Sequence, residues 1–353
     1  MSSSTTPPAA PIETPPSDDG SVEGAAARPR RWVVVLAVAI VVMFAAEAAV
    51  RVVSGRLPEP SVWYHPSAQV KVRQMDELLA SGVSADIAIV GSSQAAMAID
   101  PVLLAERLDS DSVVYNAALL AGYPTVTERF APEEVVPRLR PPTVIVGVSS
   151  NDVQTSELPR YDEARATDPA LIADVDRVLS ARSALIRYRR ELADPTGWGD
   201  LLAGVEGEVA FYERTAIGPA GSWIGERASR CDRPLGESAE VRAARDDVVW
   251  STNPERETAL WQTVDRLRSS GSRVVVVVIP VSDCWRIDLQ NDDADADGRA
   301  VIAAGAQRHG VPVIDLSEEV RARHLFTDRT HMSVEGEREF TMKLAGRLAT
   351  LPP

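Results

Sequence analysis

Four short stretches carry side chains whose types could act together on an ester carbonyl. Gly91-Ser92-Ser93-Gln94 offers two hydroxyls behind a glycine. Ser149-Ser150-Asn151-Asp152 offers an amide, and Asp328-Arg329-Thr330-His331 sets a carboxylate three residues before an imidazole. Asn116 to Gly122 is a run of small and apolar residues between an amide and a glycine. Serine hydrolysis needs a hydroxyl, a neutral imidazole to take its proton, and a carboxylate to orient that imidazole. It also needs donors for the tetrahedral oxyanion, and an Asn side chain is a good one. Each piece alone has a plain structural reading: Asn-Asp is a turn dipeptide, and Asp328 also suits a helix cap. The conjunction is far more specific. The chain holds 4 histidines, and His331 alone has a carboxylate three residues before it.

The elements around these stretches alternate. Asp86–Val90, Ser112–Tyr115, Thr143–Val148, Arg273–Ile279 and Val311–Ile314 are short apolar runs that read as buried strands. Between them lie helix patterns. One starts at Asp100-Pro101, with Asp as cap and Pro at the first helical position. Others cover Thr125–Leu139, Glu255–Ser269, Gly298–His309 and Val334–Leu348. Such alternation predicts a three-layer α/β domain with a flavodoxin-like parallel sheet. Ligands in these sheets bind outside the carboxyl ends of the strands. The candidate residues all fall there. Residues 155–250 interrupt the pattern, with a helix-like stretch over Pro169–Glu191, and are read as an inserted cap.

The order Gly-x-Ser, Asn/Gly, Asn-Asp and Asp-x-x-His resembles the four blocks of the SGNH/GDSL serine hydrolases, over about residues 85–350 without the insertion. That resemblance implies Ser93 as nucleophile, His331 as general base and Asp328 as its orienting partner. It implies oxyanion donors from Ser93 N–H, Gly122 N–H and the Asn151 side chain. Two departures stand out. Ser92 replaces the family's usual Asp and is a rival nucleophile, with position favouring Ser93. Gly122 comes one residue later than usual after Asn116, so Ala121 shares its candidacy. The Gly-Ser-Ser form followed by Ile99-Asp100-Pro101 is also similar to envelope proteins related to the D-alanyl-transfer protein of the teichoic-acid pathway. This second resemblance implies acyl transfer beside a multi-span membrane partner.

Composition bounds the setting. The chain has 353 residues, 45% hydrophobic and 25% charged, enough for one large core. A net charge of −14 gives no attraction for a phosphate backbone and argues against nucleic acid as partner. Two lysines, Lys71 and Lys343, among many arginines suit a GC-rich bacterial genome. Residues 1–31 form a tail whose first 27 residues are poor in large apolar side chains, too few to offset chain entropy, and read as disordered. Trp32–Val50 is apolar and close to the length that crosses a bilayer, so residues 32–52 are read as a transmembrane helix and 53–84 as a connector with a short helix over Val70–Leu79. Arg28, Arg30 and Arg31 before the span favour a cytoplasmic N-terminus and an extracytoplasmic domain. The rival is a cleaved signal peptide, given Ala46-Glu47-Ala48. Cys231 and Cys284 then read as one disulfide in an oxidising compartment.

Two further features have both a functional and a plain reading. Asp293, Asp295, Asp297 and Gly298 match the opening of a calcium loop, but Ala304 stands where its bidentate Glu belongs, and a solvated acidic loop is the plainer reading. Trp198, Trp223, Trp250 and Trp285 could stack on sugar rings, though core packing is the commoner role. The sequence therefore predicts a serine esterase needing no cofactor. Its expected substrate is an O-acylated envelope glycan or lipid. The alternatives are an O-acyltransferase and an inactive glycan-binding module.

Overall fold

The computed structural model describes residues 28–54, 66–109, 111–120, 122–156, 178–180, 182–189, 208–225, 227, 250–288 and 291–352. It divides into two units, residues 1–55 and 56–353. The first contains helix α1 (Arg28–Val53). Residues Arg31–Val53 of it contain an 18-residue window of mean hydropathy 2.8 and are long and apolar enough to cross a bilayer. Its one acid, Glu47, pairs with Arg51 one turn on, at 2.6 Å.

The second unit opens with α2 (Pro66–Ala80), β1 (Ile87–Gly91), α3 (Ser93–Ala98), α4 (Pro101–Leu108) and β2 (Val114–Asn116). It continues with α5 (Pro124–Phe130), α6 (Val136–Leu139), β3 (Thr143–Val148) and β4 (Gln154–Ser156). Then follow α7 (Ala184–Arg187), α8 (Glu208–Thr215), β5 (Trp250–Thr252), α9 (Pro254–Ser269) and β6 (Arg273–Val278). The last elements are α10 (Asp292–His309), β7 (Val313–Asp315) and α11 (Val334–Leu348).

Five strands form one parallel sheet in the order β2-β1-β3-β6-β7. This is the flavodoxin-like order, whose ligand crevice opens where the order reverses, between β1 and β3. The strands are almost wholly apolar because both faces are covered. Alternation sorts their side chains. Val144, Val146 and Val148 join Val274, Val276 and Val278 under α2, α5, α9 and α10. Ile145, Val275, Val277 and Ile279 face the other way, onto α3, α4 and α11. The expected three-layer parallel sheet is therefore present.

Two expectations need correction, and one pair of strands has no counterpart in the sequence reading. The connector helix is longer than Val70–Leu79 and belongs to the domain, because Ala68, Val72 and Met75 are core residues. Lys71 on the same helix is buried and donates to the Asn116 and Gly221 carbonyls at 2.6 and 3.0 Å. Burial pulls its ammonium down to about 7. Next, α10 begins at Asp292, six residues before the expected start, since acids in the first turn suit the helix dipole. Finally, β4 and β5 pair antiparallel and form the base of the insertion, a ribbon too short and polar to show in the sequence. The interruptions expected in Thr125–Leu139 appear as a widened turn over Ala131–Val135, where Pro132 supplies no N–H, and Pro137 in α6 supplies none either. Within the insertion, Ala216 and Ile217 pack on Val70 of α2, and Gly221 meets the carboxyl end of β2 at Asn116. The helix-like stretch Pro169–Glu191 lies mostly outside the described residues, which give only α7 and short pieces beside it.

Candidate active site

The first strand ends on Gly91, at φ +147°, paired in register with Gly147 of β3. A Cβ on Gly91 would lie 2.3 Å from the Gly147 carbonyl oxygen. A Cβ on Gly147 would lie 2.7 Å from that of Ala95. Two bare positions at the crossover thus let α3 start hard against the sheet, with Ser93 as its first residue. Ser92 caps α3 and is 5% exposed. Its hydroxyl accepts from Gln94 N–H at 3.3 Å and donates to the Asp152 carboxylate at 3.1 Å. Ser92 is thereby committed on both sides, while the half-buried Ser93 is not.

Ser93 Oγ lies 2.8 Å from His331 Nε2. His331 Nδ1 lies 2.8 and 3.1 Å from the two Asp328 carboxylate oxygens. An ionised carboxylate can only accept, so Nδ1 carries the hydrogen, and in the neutral imidazole Nε2 is the acceptor that faces Ser93. Asp328 Oδ1 also accepts the backbone N–H groups of Thr330 and His331, at 2.9 and 2.8 Å. Burial alone would raise the Asp328 pKa. The hydrogen bond and charge of His331, with the two N–H bonds, outweigh it and hold the carboxyl below its usual range. The loop closes on itself where Thr327 N–H meets the His331 carbonyl at 2.9 Å. Ser282, after β6, anchors it through the Arg329 carbonyl, which accepts from the Ser282 hydroxyl at 2.7 Å. Ser282 was not anticipated. A serine four residues past a strand end carries no signal of its own.

Asn151 sits on a 3-10 turn, Ser150–Val153, at the end of β3. The Ser92–Asp152 hydrogen bond ties this turn to the Ser93 turn. The Asn151 side chain has no hydrogen-bond partner among the described residues, and its Oδ1 is buried without one. Asp152 also accepts from Ser149 N–H and from the Ser149 hydroxyl, at 2.9 and 3.1 Å. Burial nonetheless pushes its carboxyl above the usual range, against these bonds and the Arg256 charge.

Other candidates do not converge on Ser93. Gly122 N–H donates to the Leu119 carbonyl at 3.1 Å, closing its own turn, so it is not free to hold an oxyanion. Gly122 instead lines a small cavity of about 10 Å³ together with Ser92 and Asp152. Ala121 lies outside the described residues. Asn116 is fully buried: its amide donates to the Ala95 and Ile99 carbonyls and its oxygen accepts from Ala118 N–H, so it braces α3. Asp293, Asp295 and Asp297 stand in the first turns of α10 and do not form a calcium loop. At 100° per residue, alternate positions on a helix point apart. Asp295 is buried against Ser150, and no metal-ligand cluster occurs among the described residues.

Trp250 and Trp285 pack edge to face with centroids 5.4 Å apart, beside Val281 and Ala294, and Trp223 packs on Ala216 and Ile217. These three serve packing, and Trp198 lies outside the described residues. Cys284 is buried and is not a free thiol. Cys231 lies outside the described residues.

No family model matches the sequence, and no curated protein does. Solved structures show low-identity likenesses. A lipase/acylhydrolase from Enterococcus faecalis is 14% identical with a TM-score of 0.36, over 74% of this chain and 96% of its own. An inhibitor-bound aryl esterase from M. smegmatis is 14% identical with a TM-score of 0.36, over 76% and 100%. A carbohydrate acetylesterase from Sinorhizobium meliloti is 11% identical with a TM-score of 0.37, over 76% and 100%.

Proposed function

We propose that this chain is a membrane-anchored serine esterase of the SGNH/GDSL type, acting through an acyl-enzyme on an O-acylated cell-envelope glycan or lipid. One observation carries the reading: Asp328, His331 and Ser93 form an unbroken relay, with 2.8 Å at each of its two joints. His331 Nε2 takes the Ser93 proton as Oγ attacks the ester carbonyl. The Asn151 amide and the Ser93 N–H hold the oxyanion. The imidazolium, stabilised by ionised Asp328, returns its proton to the leaving alkoxide. Water then attacks the acyl-enzyme with His331 as base, releasing the carboxylic acid and restoring Ser93. The route uses the chain's own side chains, the Ser93 N–H and water.

Ser92 is the weaker nucleophile candidate because both sides of its hydroxyl are taken. Helix α1 is the anchor in this reading, with the domain outside the cytoplasm and Cys231 bridged to Cys284. The substrate class follows from that location.

The test is intact-mass spectrometry of the detergent-solubilised full chain exposed to p-nitrophenyl acetate, with Ser93→Ala alongside. An acetyl adduct that needs Ser93 and turns over supports the esterase. An adduct that persists until an alcohol acceptor is added shifts the reading to an O-acyltransferase. Labelling that survives Ser93→Ala, or no labelling of either form, overturns it.

A further inference from the structure

The acidic run at the start of α10 has no part in the relay, yet one of its members is among the most buried carboxylates described. Asp295 is 2% exposed and accepts from the Ser150 hydroxyl at 2.6 Å. Ser150 is itself buried and immediately precedes Asn151. At the other end of the same turn, the Gln154 amide donates to the Ala294 carbonyl at 2.6 Å. The first turns of α10 thus grip the Asn151 turn at both ends. Gly298, one helical turn after Asp295, makes the approach possible: a Cβ there would lie 2.8 Å from Ser150 Cβ and from its carbonyl oxygen. Between the two grips, the Asn151 side chain has no partner of its own among the described residues.

The charge of Asp295 is balanced locally. Its Oδ2 lies 3.0 Å from Arg299 Nε and 3.5 Å from Arg286 Nε. Both contacts are ion pairs, outside the alignment of a hydrogen bond, since Oδ2 has no hydrogen-bond partner. The two arginines are shared with Glu318, and Arg286 also with Asp292. A buried ionic network of this kind adds little stability over a well-packed apolar one, so its role is sought in the geometry that it imposes. That geometry is the position of the turn bearing Asn151. Oxyanion stabilisation is steep in donor position, because the donor must meet the oxygen that develops charge.

We propose that Asp295 is a positioning residue, which acts through Ser150 to hold the Asn151 amide where the oxyanion forms. The proposal rests on the reading of Asn151 as an oxyanion donor. Asp295 touches no substrate.

The test is a double-mutant cycle on the detergent-solubilised full chain, with p-nitrophenyl acetate as substrate. Asp295→Ala and Ser150→Ala are each made in the wild-type and the Asn151→Ala backgrounds. In the wild-type background each is expected to lower kcat about tenfold or more, with KM within about twofold. In the Asn151→Ala background neither is expected to lower kcat by more than about twofold, since the donor being positioned is gone. An equal loss in both backgrounds overturns the proposal, as does a loss confined to KM. Ser150→Ala removes one hydroxyl and leaves the arginine pairs intact, so it decides the matter if Asp295→Ala does not fold. The Ser93 phosphonylation rate with a fluorophosphonate, read by intact mass, separates the two levels. A wild type that takes no label and hydrolyses nothing overturns the esterase reading and this proposal with it. A wild type labelled at Ser93 with an additive cycle overturns this proposal alone.

Discussion

The turn that carries Ser93 and the loop that carries Asp328 and His331 meet at one hydrogen bond, but they are built on opposite principles. The Ser93 turn is held from afar. Gly91 is seated against Gly147 of the neighbouring strand, and Ser92 is bound to Asp152, sixty residues on. The Asp328 loop is held chiefly by itself. Asp328 binds the N–H groups of Thr330 and His331, and Thr327 closes on the His331 carbonyl. A serine at a strand crossover is part of the core's packing. A histidine and its carboxylate on a self-closed loop can be changed with little effect on the core.

That contrast predicts separable consequences. Asp328→Asn should leave the fold close to intact, because its loop is half exposed and locally closed. It should lower kcat by about 10⁴, since an amide no longer forces the hydrogen onto Nδ1 and cannot stabilise the imidazolium. Circular dichroism melts and steady-state hydrolysis of p-nitrophenyl acetate read the two effects. A large drop in melting temperature would break the contrast.

Gly91→Val is the converse. Its Cβ would meet the Gly147 carbonyl oxygen at 2.3 Å, and φ +147° is a conformation that a branched side chain rarely adopts. A destabilisation of about 2–4 kcal/mol is expected, from overpacking and backbone strain together. Urea unfolding of the full chain in detergent measures it. Wild-type stability in this variant would show that the crossover is looser than its contacts say.

The same contrast explains what could be read before the fold was seen. Strand runs such as Thr143–Val148 were legible because burial on both faces leaves an unbroken apolar signature. Asp328 and His331 were legible because their interaction is local, three residues apart. The places of Ser93 and Asn151 near strand ends were legible because each comes two or three residues after an apolar run. The bonds that place those residues were not legible. Ser92 with Asp152, Ser150 with Asp295 and Ser282 with Arg329 join hydroxyls to partners fixed only by the fold. The acidic run at Asp293–Asp297 misled because alternating carboxylates look alike on a loop and on a first helical turn. Only the helix decides which of them turns inward. Gly122 shows the same limit: a glycine's type says nothing about where its N–H points, and this one turns to the Leu119 carbonyl.

Ser92→Ala tests the long-range side more gently. It removes the hydroxyl that donates to Asp152 and caps Gln94 N–H, leaving a buried carboxylate with one bond fewer. A loss of about 1–3 kcal/mol is expected, with the acyl adduct still formed at Ser93. An adduct lost altogether in a folded protein would mean that Ser92 takes part in the chemistry.

The smallest effect concerns a tie that reaches both sides. Arg227 of the insertion donates to Glu337 at 2.8 Å, on the helix that follows His331, and to the Met97 carbonyl at 3.3 Å, on the helix that Ser93 begins. Burial raises the Glu337 carboxyl to about 6, assisted by Asp100 and opposed by Arg227. Its folded pKa is therefore above its ordinary value of 4.5. Between those two values the folded state holds a proton that the unfolded state has released, so stability falls as pH rises through this window and levels off above about 6. The size is about 2 kcal/mol at most, from the gap between those two values at about 1.4 kcal/mol per pH unit. Glu337→Gln should flatten that part of the curve, measured as melting temperature against pH from 4 to 7. A slope unchanged in the variant would assign it to another group. A slope that vanishes together with a changed acylation rate would mean that the insertion, through Arg227, sets the spacing between the two turns.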